Sequence, residues 1–260
     1  MIILTIDTDW APEPATAAVL ERVRALGLKV TVFFSRPSPS SPWPLLETGA
    51  HPDLSRRHVP ADGGDLLAMA TPEHDRNVLE VEAGILGAYR AALPEAEAVR
   101  THRFYWHSDL SKVMARAGFI HDSSMIVPHQ PGLMGFKVGR LTRWPVWSSD
   151  HLHLARRFPL DRLDIPGLDR PGLKIFCFHV TYLYLNARSL ADFDMTKARL
   201  GEAEQPELRP GPGIWDIFQR LAERAGRETG GLWLRDIPAE YIGRNENSVP
   251  SQPWRKEDAP

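Results

Sequence analysis

The chain has 260 residues, enough for one large domain or two small ones. It carries 31 Lys and Arg against 33 Asp and Glu, so no basic excess suggests a nucleic acid or an anionic membrane as the partner. A lone cysteine, Cys177, excludes an internal disulfide and a cysteine-rich metal site, which suits a reducing compartment.

Targeting signals are the next feature of the sequence. Strand-like sequence begins at residue 2, with no charged n-region or apolar h-region of a signal peptide before it. No apolar run approaches the roughly 20 residues that a membrane helix needs. We therefore expect a cytoplasmic protein without a membrane span, acting on a small or neutral partner.

Apolar, β-branched runs alternate with helical patterns along the chain, which is typical of βαβ units and a parallel sheet. The predicted strands are 2–7, 29–34, 46–50, 97–101, 118–122, 142–147 and 173–180, with a weaker candidate at 231–236. The predicted helices are 15–27, 74–92, 108–117 and 213–227. The last helix has a one-face apolar stripe, which indicates packing against a sheet.

Three segments do not fit regular elements. The stretch 36–46 is too rich in proline for a helix and predicts an irregular crossover. Residues 183–212 lack clear periodicity, and a loop that long in a compact domain is often functional, for example a lid. The polar, proline-bearing residues 244–260 predict a C-terminal tail, which leaves 1–243 as one catalytic domain.

The first predicted strand, in MIILTIDTDWAP, ends in two aspartates, Asp7 and Asp9. Residues two apart on a strand share a face, so both carboxylates should point away from Ile2, Leu4 and Ile6. A buried carboxylate is costly unless it is paired or bound to a metal. The alternative is that both are turn residues at a strand end, where Asp is common.

Other strand ends carry residues of the same chemistry. They are His51 in ETGAHP, Arg100 and His102 in VRTHRFY, and His179 in FCFHV. Parallel barrels assemble their sites from the loops at the carboxyl ends of different strands. Taken together, these side chains match the N and O ligands and the proton carriers that a hydrolytic metal site needs.

These motifs resemble those of the polysaccharide deacetylases (carbohydrate esterase family four), above all their WbmS-like branch, over roughly residues 2–186. The resemblance implies a distorted (β/α) barrel of seven to eight mostly parallel strands. It also implies a metal-dependent hydrolase that removes N-acetyl groups from an amino sugar or an acetylated polysaccharide precursor. GFIHDSS, residues 118–124, is similar to a further segment of the family.

The resemblance also implies roles for single residues. TIDTDW looks like the family element that supplies a general base, here Asp7, and a metal ligand, here Asp9. ETGAHP resembles the motif whose histidine binds metal, here His51. VRTHRFY resembles the motif whose arginine holds the base, here Arg100. FHVTYLYLN resembles the last motif, whose histidine is the general acid, here His179.

The sequence departs from the family at one metal ligand. A second histidine normally follows the first by four residues, but that position is Ser55. His58 can replace it if its loop folds back, and His102 can replace it from the strand end that carries Arg100. We prefer His102, because residues two apart on an extended segment share a face and strand ends are rigid.

The expected cofactor is a divalent metal, zinc by preference, which would lower the pKa of a bound water and polarise the acetamide carbonyl. A backbone N–H near Arg103 is expected to help stabilise the oxyanion. Two alternatives stay open: another C–N hydrolase that acts on a formyl, carbamoyl or cyclic amide, and a sugar-binding homologue without catalysis. The sequence identifies neither the sugar nor the oligomeric state.

A few further residues have two interpretations each. Trp106, Trp144 and Trp147 can stack on a sugar ring or pack in the core. Cys177 can line the pocket, but a small buried apolar side chain is the simpler interpretation. His151 and His153 in SSDHLHL have spacing that can bind metal, although an exposed loop pair is expected.

Overall fold

The computed structural model describes residues 1–9, 11–36, 45–54, 72–192 and 210–243. Within these residues, nine strands form one sheet and six helices flank it. The strands are β1 (Ile2–Asp7), β2 (Val30–Phe34), β3 (Leu46–Ala50), β4 (Ala98–Val99), β5 (His121–Asp122), β6 (Phe136–Val138), β7 (Leu141–Arg143), β8 (Val146–Ser149) and β9 (Lys174–His179). The helices are α1 (Glu13–Ala25), α2 (Pro72–Ala92), α3 (Leu110–Arg116), α4 (Asp150–Ala155), α5 (Val180–Leu185) and α6 (Ile214–Thr229).

The sheet has the strand order β6-β7-β5-β4-β3-β2-β1-β9-β8. Every neighbouring pair is parallel except β6 and β7, which are antiparallel. The sheet is curled into a half-barrel with helices around it, which confirms the predicted distorted (β/α) barrel. The described residues contain nine strands rather than seven or eight, because the prediction overlooked β6 and merged β7 with β8.

Several predicted boundaries were wrong for local reasons. The predicted strand 142–147 is two strands, β7 and β8, and Pro145 lies in the break, where it has no N–H to donate to a ladder. The predicted strands 97–101 and 118–122 are reduced to the two-residue strands β4 and β5. The weaker candidate at 231–236 is not a strand, since Leu234–Asp236 forms a 3-10 turn.

Two short helices were not predicted. His151 is exposed as expected, but it and His153 lie in helix α4 rather than in a loop. His153 is buried, against the prediction, and its Nε2 lies 2.9 Å from the carbonyl oxygen of Pro159. The last residues of helix α5 are the first of the segment 183–212, and residues 193–209 of that segment lie outside the described residues. The crossover at 37–44 and the tail at 244–260 also lie outside them.

The side chains on the two faces of β1 pack in different hydrophobic clusters, as the alternation of its residues predicts. Ile2, Leu4 and Ile6 pack in the larger cluster with α1 and α6. Ile3 points to the inner face, where Ile175 and Cys177 of β9 also lie. The apolar stripe of α6 is buried against the sheet, which confirms its predicted packing role; its members are Ile214, Ile217, Phe218, Leu221, Ala222 and Ala225.

Strand register places the predicted site residues together at the carboxyl-terminal ends of the strands. Asp7 is aligned with His179 of β9. Ala50 is aligned with Val99, so the residues that follow them, His51 and Arg100, leave the sheet side by side. In the part of the chain that the structure describes, no helix is both long and apolar enough to cross a membrane.

Candidate metal centre and catalytic site

Asp9, His51 and His102 form a cluster with one potential ligand atom from each residue, all within 4.8 Å of one another. The Oδ1 atom of Asp9 lies 3.0 Å from Nε2 of His51 and 3.2 Å from Nδ1 of His102. His51 is buried, whereas the side chains of Asp9 and His102 are 16% and 12% exposed. One carboxylate and two imidazoles are a donor set suited to zinc, with an open side toward solvent.

The hydrogen bond of the other nitrogen of His51 shows what its contact with Asp9 requires. Nδ1 of His51 lies 2.7 Å from the carbonyl oxygen of Arg100. A carbonyl oxygen can only accept, so Nδ1–H donates to it and Nε2 of a neutral imidazole presents a lone pair toward Asp9. Two acceptors then face each other at 3.0 Å unless a proton or a metal ion lies between them. A metal-binding histidine normally donates its other ring N–H to a carboxylate, a backbone carbonyl or water.

The loops around the cluster have specific backbone conformations. Asp9 follows β1 in a turn with φ of 43°, a left-handed conformation that Asp tolerates better than most residues. The backbone N–H of His102 donates to the carbonyl of Pro52 at 2.9 Å, which ties its loop to the one carrying His51. A 3-10 turn, His102–Phe104, follows and has a φ of 59° at Arg103.

Asp7 lies below the cluster and is almost completely buried. Its Oδ1 accepts a hydrogen bond from Nη1 of Arg100 at 2.8 Å, and its Oδ2 accepts one from the thiol of Cys177 at 3.1 Å. The Oδ2 atom is also 3.9 Å from Nε2 of His51. Cys177 is therefore both a buried apolar residue and a direct contact of the predicted base.

Arg100 is itself held in place. Its Nη1 also donates to the hydroxyl of Thr5 at 2.8 Å, and its Nη2 donates to the hydroxyl of Ser123 at 2.8 Å. Burial by itself would raise the pKa of Asp7, but Arg100 and, less strongly, His51 and His179 outweigh it and hold that pKa below its usual value. Asp7 is therefore ionised at neutral pH.

His179 ends β9 and pairs with a carboxylate that the sequence analysis missed. Nδ1 of His179 donates to Oδ1 of Asp150 at 2.7 Å, and the backbone N–H of His179 donates to Oδ2 of Asp150 at 2.6 Å. Nε2 of His179 points to the site, 3.6 Å from Oδ2 of Asp9. Burial opposes protonation, but Asp150 and then Asp9 outweigh it and raise the pKa of His179 to about 10.

A sequence signal for Asp150 does exist. It is the first residue of α4, and the hydroxyl of Ser149 accepts from the backbone N–H of Leu152 as the helix N-cap. In the motif SSDHLHL, the two serines end β8, the second serine is the N-cap of α4, and Asp150 is the acidic residue of the first helical turn.

The structure brings all six predicted site residues into one site: Asp7, Asp9, His51, Arg100, His102 and His179. Ser55 and the alternative ligand His58 lie outside the described residues. Trp144 and Trp147 are each 1% exposed and pack in the core, which rules out sugar stacking for both. Trp106 is 44% exposed.

Comparisons with known proteins agree with this architecture. Residues 4–197 match the profile of the WbmS-like family, described as polysaccharide deacetylases. A crystal structure from Bordetella bronchiseptica, described as a candidate polysaccharide deacetylase involved in O-antigen biosynthesis (WbmS), is 21% identical. It aligns with a TM-score of 0.69 over 86% of this chain and 90% of that chain.

More distant structures show weaker similarity. A family 4 carbohydrate esterase from Streptomyces lividans is 13% identical, with a TM-score of 0.39 over 76% of this chain and 88% of that chain. The Bc1960 peptidoglycan N-acetylglucosamine deacetylase is 12% identical, with a TM-score of 0.44 over 90% and 84%. No curated protein matches the sequence. Because the family profile spans most of the chain, this protein belongs to the WbmS-like polysaccharide deacetylases.

Proposed function

We propose that this protein is a metal-dependent carbohydrate N-deacetylase that hydrolyses the N-acetyl group of an amino sugar or an acetylated polysaccharide precursor and frees acetate. The observation that carries the proposal is the contact between His51 and Asp9. Because Nδ1 of His51 donates to a carbonyl, a cation between Nε2 and the Asp9 carboxylate relieves two facing acceptors. His102 completes a three-residue ligand set.

A divalent metal, for which we propose zinc, would act as a Lewis acid toward the acetyl carbonyl and lower the pKa of a bound water. Asp7 takes the proton of the attacking water, and Arg100 keeps Asp7 ionised and oriented. The protonated Nε2 of His179 then gives its proton to the amine nitrogen as the C–N bond breaks. A backbone N–H near Arg103 assists the developing oxyanion.

Two measurements on the purified protein test this function. The metal content should be about one divalent ion per chain, as three ligands imply. Acetate release should be followed on a panel of N-acetylated monosaccharides, nucleotide sugars and oligosaccharides, before and after chelation and after zinc is returned. Full turnover after verified removal of the metal would refute the mechanism.

The same panel addresses the alternative chemistries. Formyl, carbamoyl and cyclic amides belong in it, because the base and acid described above are able to act on any of them and the pocket walls select the substrate. A protein that binds sugars but contains no metal and releases no acetate would be a non-catalytic homologue. The cytoplasmic location stays a prediction, which fractionation of the producing cells checks.

A further inference from the structure

Trp106 is exposed and belongs to the loop after β4 that also carries His102 of the candidate site. Trp106 follows His102 by four residues, so their Cα atoms are at most roughly 14 Å apart. A single exposed apolar side chain needs no explanation on a protein surface. Trp106 differs from that ordinary case because its backbone and its ring are both held in place.

The side chains on each side of Trp106 contact one buried carboxylate. Glu82 of α2 is 1% exposed. Nε2 of His107 contacts both carboxylate oxygens of Glu82, at 2.9 and 3.0 Å, and the hydroxyl of Tyr105 also hydrogen-bonds to Glu82. The hydroxyl of Thr101 donates to the carbonyl of Tyr105 at 2.6 Å. Residues 105 and 107 therefore hold Trp106 in a defined position while its ring stays exposed.

One face of the Trp106 ring lies against a guanidinium that is itself fixed. Cζ of Arg143 is 4.6 Å from the ring centroid. Nε of Arg143 donates to Oδ2 of Asp122 at 2.6 Å, and Asp122 is fully buried. Asp122 precedes Ser123, whose hydroxyl accepts from Arg100. A continuous set of contacts thus joins the ring to the arginine that holds the candidate base.

We propose that Trp106 is a sugar-binding platform, on whose free face one ring of the acetylated saccharide stacks during deacetylation; this rests on the proposed function. The C–H face of a pyranose is apolar and weakly positive, and it complements the electron-rich face of an indole. Arg143, behind the ring, fixes its orientation. A platform beside the site rather than within it selects for a saccharide of more than one ring.

The test compares Trp106→Ala and Trp106→Phe with the parent protein, all loaded with zinc. Ile120→Ala is the matched control. Ile120 is 43% exposed but lies just before β5, at the amino-terminal ends of the strands and not at the carboxyl-terminal ends that carry the candidate site. Each protein is applied to an array of N-acetylated glycans, and KM and kcat are measured on the acetylated oligosaccharides of the panel. Thermal unfolding shows whether each variant is folded.

We expect Trp106→Ala to weaken glycan binding and raise KM about tenfold, equivalent to ~1.4 kcal/mol, with kcat nearly unchanged. Trp106→Phe should recover most of the binding, and Ile120→Ala should match the parent protein. A parent protein that retains no glycan, or equal retention by Trp106→Ala, overturns the platform. Deacetylation with an unchanged KM in Trp106→Ala refutes the platform alone, whereas Trp106-dependent binding without zinc-dependent deacetylation refutes only the proposed function.

Discussion

Replacing Asp150 with Asn tests the proton-donor assignment most directly, because it changes one charge and keeps the shape of the side chain. The carboxylate of Asp150 accepts from both Nδ1 and the backbone N–H of His179. It is the largest of the influences that raise the pKa of His179 from 6.5 to about 10. An asparagine oxygen can still accept from the backbone N–H, so the end of β9 should keep its position.

The direction of the effect on rate follows from the required protonation state. His179 gives a proton, so the rate falls as pH rises through its pKa. Removing one adjacent opposite charge typically moves a pKa by about 1–3 pH units, and each pH unit corresponds to ~1.4 kcal/mol. The alkaline limb of kcat in Asp150→Asn should therefore move to lower pH by about that amount.

The assay is acetate release as a function of pH in zinc-loaded parent and variant. A cation bound to Asp9 cancels part of the charge that the Asp9 carboxylate presents to His179. The alkaline limb of the parent's rate profile should therefore have its midpoint below pH 10. The difference between the two proteins isolates the contribution of Asp150. His179→Ala should lose roughly two to four powers of ten in kcat with metal occupancy intact. An unmoved alkaline limb in Asp150→Asn would refute the assignment of His179 as the acid, and loss of metal from His179→Ala would make it a ligand instead.

The remaining predictions concern the metal, the base and the core. His102→Ala should lower zinc occupancy far more than His58→Ala in a metal titration, because Nδ1 of His102 lies 3.2 Å from Oδ1 of Asp9. The reverse order would show that His58 is the ligand. Cys177→Ala should lower the free energy of unfolding by about 1.5–3 kcal/mol in denaturant, since Asp7 loses a donor, while Cys177→Ser keeps a donor and should lose less. Equal losses would contradict the hydrogen bond. Burial raises the pKa of Glu47 above 4.5, so its ionisation opposes folding. The stability of the parent relative to Glu47→Gln should therefore fall as pH rises from about 4 to 7, and a rise would refute this.

Local patterns in the sequence predicted much of the architecture and which residues lie together in the candidate site. The alternation of residues in β1 fixed which face of the sheet carries Asp7, because neighbouring side chains on a strand point to opposite sides. The period of α6 fixed its buried stripe. Polar residues at strand ends indicated the site, because parallel strands deliver their carboxyl ends to one edge.

Short elements and long-range contacts were decided by the tertiary structure. Two-residue strands such as β4 contain too few residues to show a period, so their bounds depend on the neighbours that pair with them. The pairing of Asp150 with His179 joins residues that are 29 positions apart, and the thiol of Cys177 reaches Asp7 across 170 positions. The spacing of residues along the chain does not show which distant residues come together in the fold. Only the register of β1, β8 and β9 brings these groups within hydrogen-bonding range, and that register is set by the packing of the whole sheet.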